Sequence, residues 1–263
     1  MNAHDPTRRV VRFPAGTPDD DAIAAERPLE LVVGGEPLAV LLRSPTGLED
    51  DLALAVGFLL SEGVIAAPDE LVRLEPCRDP KSAGNRLHAE LAPGLVIPAA
   101  ARRAFLSTSA CGLCGKSSIA SLAQPLKDRP FAELVAADVV TLGDRVRAEQ
   151  AAFSRSGSVH AAALFAARSL VFLNEDVGRH NAVDKVIGRA LRAGAPLDEL
   201  TLWVSGRVSF EIAQKALVAG LAAVVAVGGP TDLAVDLAAR HGLTLVGFCR
   251  DGRFNVYAGR VSG

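Results

Sequence analysis

Apolar residues along the chain fall into short runs whose spacing changes from element to element. "LELVVGGEPLAVLLRS" holds two β-rich runs around Gly34-Gly35. That dipeptide suits positive φ in a tight turn, and the pattern predicts a hairpin. Downstream, Leu48, Leu52, Ala55, Val56, Leu59 and Leu60 share one helical face. Thr46 and Glu49 have the spacing of a capping box at the helix start, and Gly63 suits a left-handed stop. We read this helix as packing. Polar "PCRDPKSAGNR" reads as a loop and "LHAELAPG" as a short strand. "VIPAAARRAFLS" leads into a cysteine-bearing loop, after which "KSSIASLAQPL" could start a short helix stopped by Pro125.

The second half is more regular. "SVHAAALFAARSLVFLNED" predicts two strands around an Ala-Arg-Ser turn, and "HNAVDKVIGRALRAG" an amphipathic helix ended by Gly194. "LTLWVSG" and "LAAVVAV" read as buried strands. "SFEIAQKALVAG", with Ser209 at its start, and "PTDLAVDLAARHG", stopped by Gly242, read as helices. "LTLVGFCR" and "FNVYAG" close the chain as strands. Strands alternating with helices predict an α/β fold, a mixed sheet covered by helices on both faces. Residues 1–25 carry Pro, Gly and an Asp run, and are expected to be a loose arm with a short strand at "VVRFP". The expected organisation is that arm, a β-rich part over 26–105, a mobile cysteine loop and following segment over 106–130, and an α/β domain over 131–263.

Composition narrows the function classes. The chain has 263 residues, 49% of them hydrophobic, enough for a large core. A net charge of −2 provides no broad basic field, so no nucleic-acid partner is expected. "TRRVVRF" is followed by "PAGTPDDD" rather than the apolar segment of a twin-arginine signal. "LVAGLAAVVAVGG" is too short and glycine-rich to span a bilayer. No membrane partner is expected, and the chain reads as cytoplasmic. Its four cysteines do not suggest a disulfide scaffold.

Candidate chemistry centres on "STSACGLCGKSS", Ser107 to Ser118. Cys111 and Cys114 could be half of a zinc site, a redox dithiol or a reactive, sulfur-carrying thiol. A structural zinc site commonly needs two close ligand pairs, and the five histidines show no ligand spacing, so no metal site is expected. A thioredoxin-type dithiol would follow the first strand of a βαβ unit, whereas this pair lies mid-chain. Glycines after both cysteines permit movement and close approach by a partner. Lys116 and a helix starting near it would favour the thiolate. Three other segments place polar residues where the backbone should turn. "NEDVGRHNAVDK" lies between a strand and a helix, as a ligand crevice would, or as a solvated loop capped by Asn181. "VSGRVSFE" combines Arg207 with a helix start, an arrangement suited to anions. "FCRDGR" places Arg250 and Arg253 around a glycine turn, where two guanidiniums could hold phosphates or simply flank an exposed hairpin.

Taken in order, "SACGLCGKSSI", "NEDVGRHNAVDKVIG", "SGRVSFEIAQKA" and "LVGFCRDGRFNVY" resemble the formate dehydrogenase accessory sulfurtransferase family, FdhD. The resemblance runs from about Glu26 to Tyr257 and includes "ERPLELVVGGEPLAVLLRSP" and "LALAVGFLLSEGVI". It implies a sulfur carrier that takes sulfur from a cysteine desulfurase as a persulfide and passes it to bis(molybdopterin guanine dinucleotide) molybdenum, needed by formate dehydrogenase. By the same resemblance Cys111 bears the persulfide and Cys114 assists. The resemblance also implies that the stretch Phe248, Cys249, Arg250, Asp251, Gly252 and Arg253 contacts the guanine-nucleotide-containing cofactor. The implied fold is cytidine-deaminase-like in its C-terminal part, and the implied assembly a homodimer. The chain has "SGSVH" (Ser156 to His160) and "GGP" (Gly228 to Pro230) where the family has "TGGVH" and "SAP", departures that bear on the pocket. The alternatives from other classes are a cofactor-binding chaperone that moves no sulfur and a Cys-x-x-Cys redox protein.

Overall fold

A computed structural model describes residues 5–82, 84–97 and 126–263. The expected loose arm is a hairpin of β1 (Thr7–Arg12) and β2 (Thr17–Ala22). Its Asp run faces its Arg run: Arg12 reaches Asp19 at 2.5 Å and Asp21 at 2.9 Å. Opposite charges thus face each other across the backbone ladder of two exposed strands.

Next come β3 (Arg27–Val33) and β4 (Glu36–Arg43), turned by Gly34 at φ 59° and Gly35 at φ 88°. Helix α1 (Leu48–Ser61), β5 (Leu71–Pro76) and β6 (Arg86–Leu91) follow. The four strands form a sheet in the order β4-β3-β6-β5. The expected capping box at α1 does not form. Gly47 is the N-cap, at φ 138°, with no side-chain cap bond. The Thr46 hydroxyl instead accepts from Lys185 Nζ at 3.4 Å. The Gly63 stop does form, at φ 69°, with Val64 N–H bonding Leu59 O at 2.9 Å. β5 was not anticipated, because "LVRLEP" has neither a clear period of two nor a buried face.

The rest of the chain builds the larger layer. β7 (Glu133–Val135), α2 (Ala136–Val139), α3 (Leu142–Glu149) and α4 (Ala151–Ser156) lead into β8 (His160–Ala166) and β9 (Ser169–Asp176). Then come α5 (Arg179–Arg192), β10 (Thr201–Val204), α6 (Phe210–Val218), β11 (Ala223–Ala226) and α7 (Asp232–His241). β12 (Thr244–Arg250), β13 (Arg253–Ala258) and β14 (Arg260–Ser262) complete it, with β14 parallel to β7. Six strands form a mixed sheet, β13-β12-β11-β10-β8-β9, in which β10, β11 and β12 are parallel. Alternate residues supply two cores, as the period of a strand requires. Ala162, Leu164, Leu202, Val204, Val224 and Leu245 join the larger one. Ala161, Ala163, Phe165, Trp203, Val225 and Val246 join a second with Val139, Leu142 and Val146. The expected α/β architecture is therefore present.

The larger core also takes in Leu29, Leu31, Leu54 and Leu59, so the N-terminal sheet and α1 share it with the six-stranded sheet. α1 crosses α5 at glycines. A Cβ on Gly57 would collide with the backbone of Asp184, and one on Gly188 with the backbone of Ala53. Among the described residues, no helix is long and apolar enough to cross a membrane.

Candidate functional site at the carboxyl edge of the sheet

Parallel β10, β11 and β12 end on one edge of the sheet. β8 runs antiparallel to β10, with Val204 opposite Ala162, which puts His160 at the same edge. His160 pairs in turn with Asp176 at the end of β9. Four turns therefore converge: 176–180, 205–209, 227–231 and the bulged end of β12. Backbone bonds lace three of them together. Gly228 N–H donates to Gly206 O at 3.0 Å, Val208 N–H to Gly229 O at 3.3 Å and Phe248 N–H to Gly228 O at 3.0 Å. Side chains are crowded out at these crossings. A Cβ on Gly228 would lie 3.0 Å from Gly206 O, and one on Gly247 2.9 Å from Pro230 Cδ.

Asp176 is the hub of the first turn, with no solvent exposure. Its carboxylate accepts from Ser44 N at 3.0 Å, Gly178 N at 2.8 Å and Asn181 Nδ2 at 3.0 Å. Lys185 Nζ, equally buried, pairs with it at 2.6 Å. Asn181 thus does not cap α5; Gly178 is the N-cap, and the Asn181 amide ties Asp176 to Leu42 O at 2.7 Å. Glu175 turns the other way and accepts from Ala152 and Phe153 N–H groups at 2.7 and 2.8 Å, at the start of α4. Much of the polar density read as a crevice is therefore scaffold. Behind it, Lys215 pairs with both Asp184 oxygens at 2.8 Å and lies 3.6 Å from Glu62. Burial pushes the Asp184 carboxyl up, and the surrounding carboxylates, Asp184 first, outweigh burial to hold the Lys215 ammonium up.

His160, Arg179, His180, Ser205 and Arg207 remain nearer the surface of this edge. Burial, reinforced by the positive Arg179 and His180, pushes the His160 imidazole below its usual range. Its Nδ1 lies 3.4 Å from Ser205 Oγ, which accepts the Ala161 N–H at 3.0 Å. His180 Nε2 is 3.0 Å from Glu211 Oε2, an ion-pair distance in an orientation that makes no hydrogen bond. Ser209 starts α6 as expected, but its hydroxyl is buried and makes no hydrogen bond.

The "FCRDGR" segment folds as the β12–β13 turn. Arg250 pairs with Arg253 across it, with Asp251 at φ 53° and Gly252 at φ 70°. Phe248, Arg250, Asp251, Gly252 and Arg253 are exposed together. Cys249 is turned inward. It is 3% exposed in the second core, its thiol donates to Val139 O at 3.4 Å, and burial raises its pKa. Cys111, Cys114, Lys116 and the helix expected after them lie outside the described residues. Among the described residues, no group of three His, Cys, Asp or Glu side chains is placed to hold a metal. Sequence reading singled out "GGP" but missed the contact of His160 with Ser205 and the close crossing of the turns at Gly206 and Gly228. Their signal was the glycines that follow two buried strands, "VSG" and "VGG".

The fold and this edge define an α/β protein whose surface polar groups gather where such sheets take ligands, beyond the carboxyl ends of parallel strands. Within that class the chain belongs to the FdhD/NarQ family, whose model matches residues 24–262. It is 47% identical to the sulfur carrier protein FdhD of Streptomyces avermitilis, over 96% of this chain and 93% of the relative. It is 42% identical to the sulfur carrier protein FdhD of Mycobacterium tuberculosis, over 90% of each. A crystal structure from Desulfotalea psychrophila, assigned as a formate dehydrogenase accessory protein, superposes with a TM-score of 0.74. It is 23% identical, over 97% of this chain and 96% of that one, and attests the fold.

Proposed function

We propose that this protein is a sulfur carrier in the maturation of formate dehydrogenase. The observation that carries the reading is the Cys111–Cys114 pair, in a chain 47% identical over 96% of its length to a sulfur carrier protein. Burial counts against Cys249 as the carrier, because nucleophilic sulfur is the thiolate. Cys77 is half-buried and follows β5, an edge strand of the four-stranded N-terminal sheet.

In this reading the Cys111 thiolate attacks the outer sulfur of a cysteine desulfurase persulfide. The donor's S–S bond breaks, its cysteine leaves as thiolate, and a Cys111 persulfide forms with no net change in oxidation state. Cys114 assists or shares the sulfur. The recipient is bis(molybdopterin guanine dinucleotide) molybdenum, the cargo rather than a resident cofactor. Phe248, Arg250, Asp251, Gly252 and Arg253 would face its nucleotide, and two exposed guanidiniums suit its phosphates. Cytoplasmic location and a homodimer belong to the same reading.

The test is activation of formate dehydrogenase in a strain lacking the gene, complemented with wild type, Cys111→Ala or Cys114→Ala. Loss of activation with Cys111→Ala at normal protein level supports sulfur transfer. Full activation by both variants would leave the chaperone role instead.

A further inference from the structure

Two histidines stand at the carboxyl edge in unlike surroundings. His160 opens β8, and its Nδ1 lies 3.4 Å from Ser205 Oγ. Ser205 is itself fixed to β8: its N–H donates to Ala161 O at 3.0 Å, and its hydroxyl oxygen accepts from Ala161 N–H at 3.0 Å. The hydroxyl proton is then left to donate to His160 Nδ1, and a neutral ring that accepts there carries its own proton on Nε2. The charged groups facing this ring are Arg179 and His180 on α5 and Asp176 on β9. Burial first, then the two cations, hold it below the usual imidazole range, while Asp176 pulls the other way.

His180, in the first turn of α5, meets a carboxylate instead. Its Nε2 is 3.0 Å from Glu211 Oε2 on α6, with the two side chains 14% and 10% exposed. Glu211 is followed one turn on by Lys215, which pairs with Asp184 and Glu62. A carboxylate held against one nitrogen of a histidine orients the ring and faces its charge whenever the ring holds a proton. The contact is not aligned as a hydrogen bond here, and such contacts commonly tighten only with substrate in place. Neither histidine is needed to neutralise the buried scaffold, where Asp176 has Lys185 and Asp184 has Lys215.

We infer that His160 and His180 are an acid–base pair for unloading a persulfide at this edge, with Ser205 and Glu211 as the positioning residues of the two rings. His160 takes the proton from the outer sulfur of the persulfide. That sulfur bonds to an acceptor able to supply an electron pair, a reduced metal centre. The S–S bond breaks with its pair on the inner sulfur, and the thiolate so formed takes a proton from the His180 imidazolium. One proton enters His160 and one leaves His180; the acceptor loses two electrons and the cleaved S–S bond gains them. Two titratable groups with opposed surroundings divide the roles of base and acid in this way. The inference rests on the sulfur-carrier reading given under Proposed function. It adds which groups move the protons of that transfer.

The experiment loads wild type, His160→Gln, His180→Gln and Glu211→Gln with inorganic polysulfide and confirms equal sulfur on each by intact mass. Each full chain is then added to an extract of a strain lacking the gene. The initial rate of formate dehydrogenase activation is followed from about pH 5 to about pH 8, the range in which histidine changes charge. Melting temperature and affinity for guanosine diphosphate are measured beside it. We expect each histidine variant to lower the rate roughly a hundredfold, the lower end for a lost acid or base. A base works deprotonated, so the His160→Gln profile should lose the fall of rate towards acid. An acid works protonated, so the His180→Gln profile should lose the fall towards alkali. Glu211→Gln should weaken that same alkaline limb with a smaller loss of rate, and guanosine diphosphate should bind every variant as it binds wild type. Wild-type rates and profiles in either histidine variant, or a loss of guanosine diphosphate binding that matches the loss of rate, would overturn the inference and leave the carrier reading standing. Loaded wild type that activates no formate dehydrogenase would overturn the carrier reading and the inference with it. Should His180→Gln not fold, Glu211→Gln decides the donor role, and an unchanged alkaline limb would refute it.

Discussion

Replacing Lys185 by methionine removes the ammonium that faces Asp176 and keeps most of the side-chain volume. Both groups are fully buried and 2.6 Å apart. Removing one partner of a buried pair leaves an uncompensated charge, at a cost of about 3–5 kcal/mol. Asp176 would keep its bonds from Ser44 N, Gly178 N and Asn181 Nδ2, so the lower end applies, about 3 kcal/mol. At roughly 2–4 °C per kcal/mol for a domain of this size, the melting temperature should fall by about 6–12 °C. The comparison is Glu49→Gln, which weakens the Arg192–Glu49 pair at 3.0 Å, with Glu49 77% exposed. That pair should contribute under about 1 kcal/mol, because water and salt screen it. Calorimetric melting of both variants at neutral pH reads the difference. A Lys185→Met loss no larger than that of Glu49→Gln would refute the claim that this pair anchors the β9–α5 turn.

His160 is held below the ordinary imidazole value by burial, with Arg179 and His180 adding to it. The folded chain therefore binds that proton less readily than the unfolded one. Its contribution to stability is full above about pH 6.5 and lost as pH falls through the folded value. His160→Gln should flatten this acid-side loss in a melting-temperature-against-pH series, and an unchanged slope would contradict the assignment. Charge reversal at Arg250 and Arg253 should weaken guanosine diphosphate by tenfold or more with little change in melting temperature, since both are exposed. Unchanged affinity by calorimetry would remove them from phosphate binding.

Elements with a strong period were legible in the sequence. The β3–β4 hairpin, the buried strands β10 and β11, and the glycine stops at Gly63, Gly194 and Gly242 follow from local pattern and backbone chemistry. Elements defined by tertiary partners were not. The Thr46 hydroxyl looked like a cap but is taken by Lys185, far away in sequence. The β1–β2 hairpin has exposed strands with no buried apolar alternation to announce it. At the site, the exposed Arg turn could be read in advance as a candidate. The scaffold duties of Asp176, Asp184 and Lys185 could not, because a buried and a solvated carboxylate look alike in sequence. The inward turn of Cys249 follows from strand alternation, since its neighbours Phe248 and Arg250 face outward.

In the proposed function sulfur travels on Cys111. Purified wild type, Cys111→Ala and Cys249→Ala would each be incubated with a cysteine desulfurase and cysteine, and their intact masses measured without reductant. One added sulfur is expected on wild type and on Cys249→Ala, and none on Cys111→Ala. Equal persulfide on wild type and Cys111→Ala would contradict it.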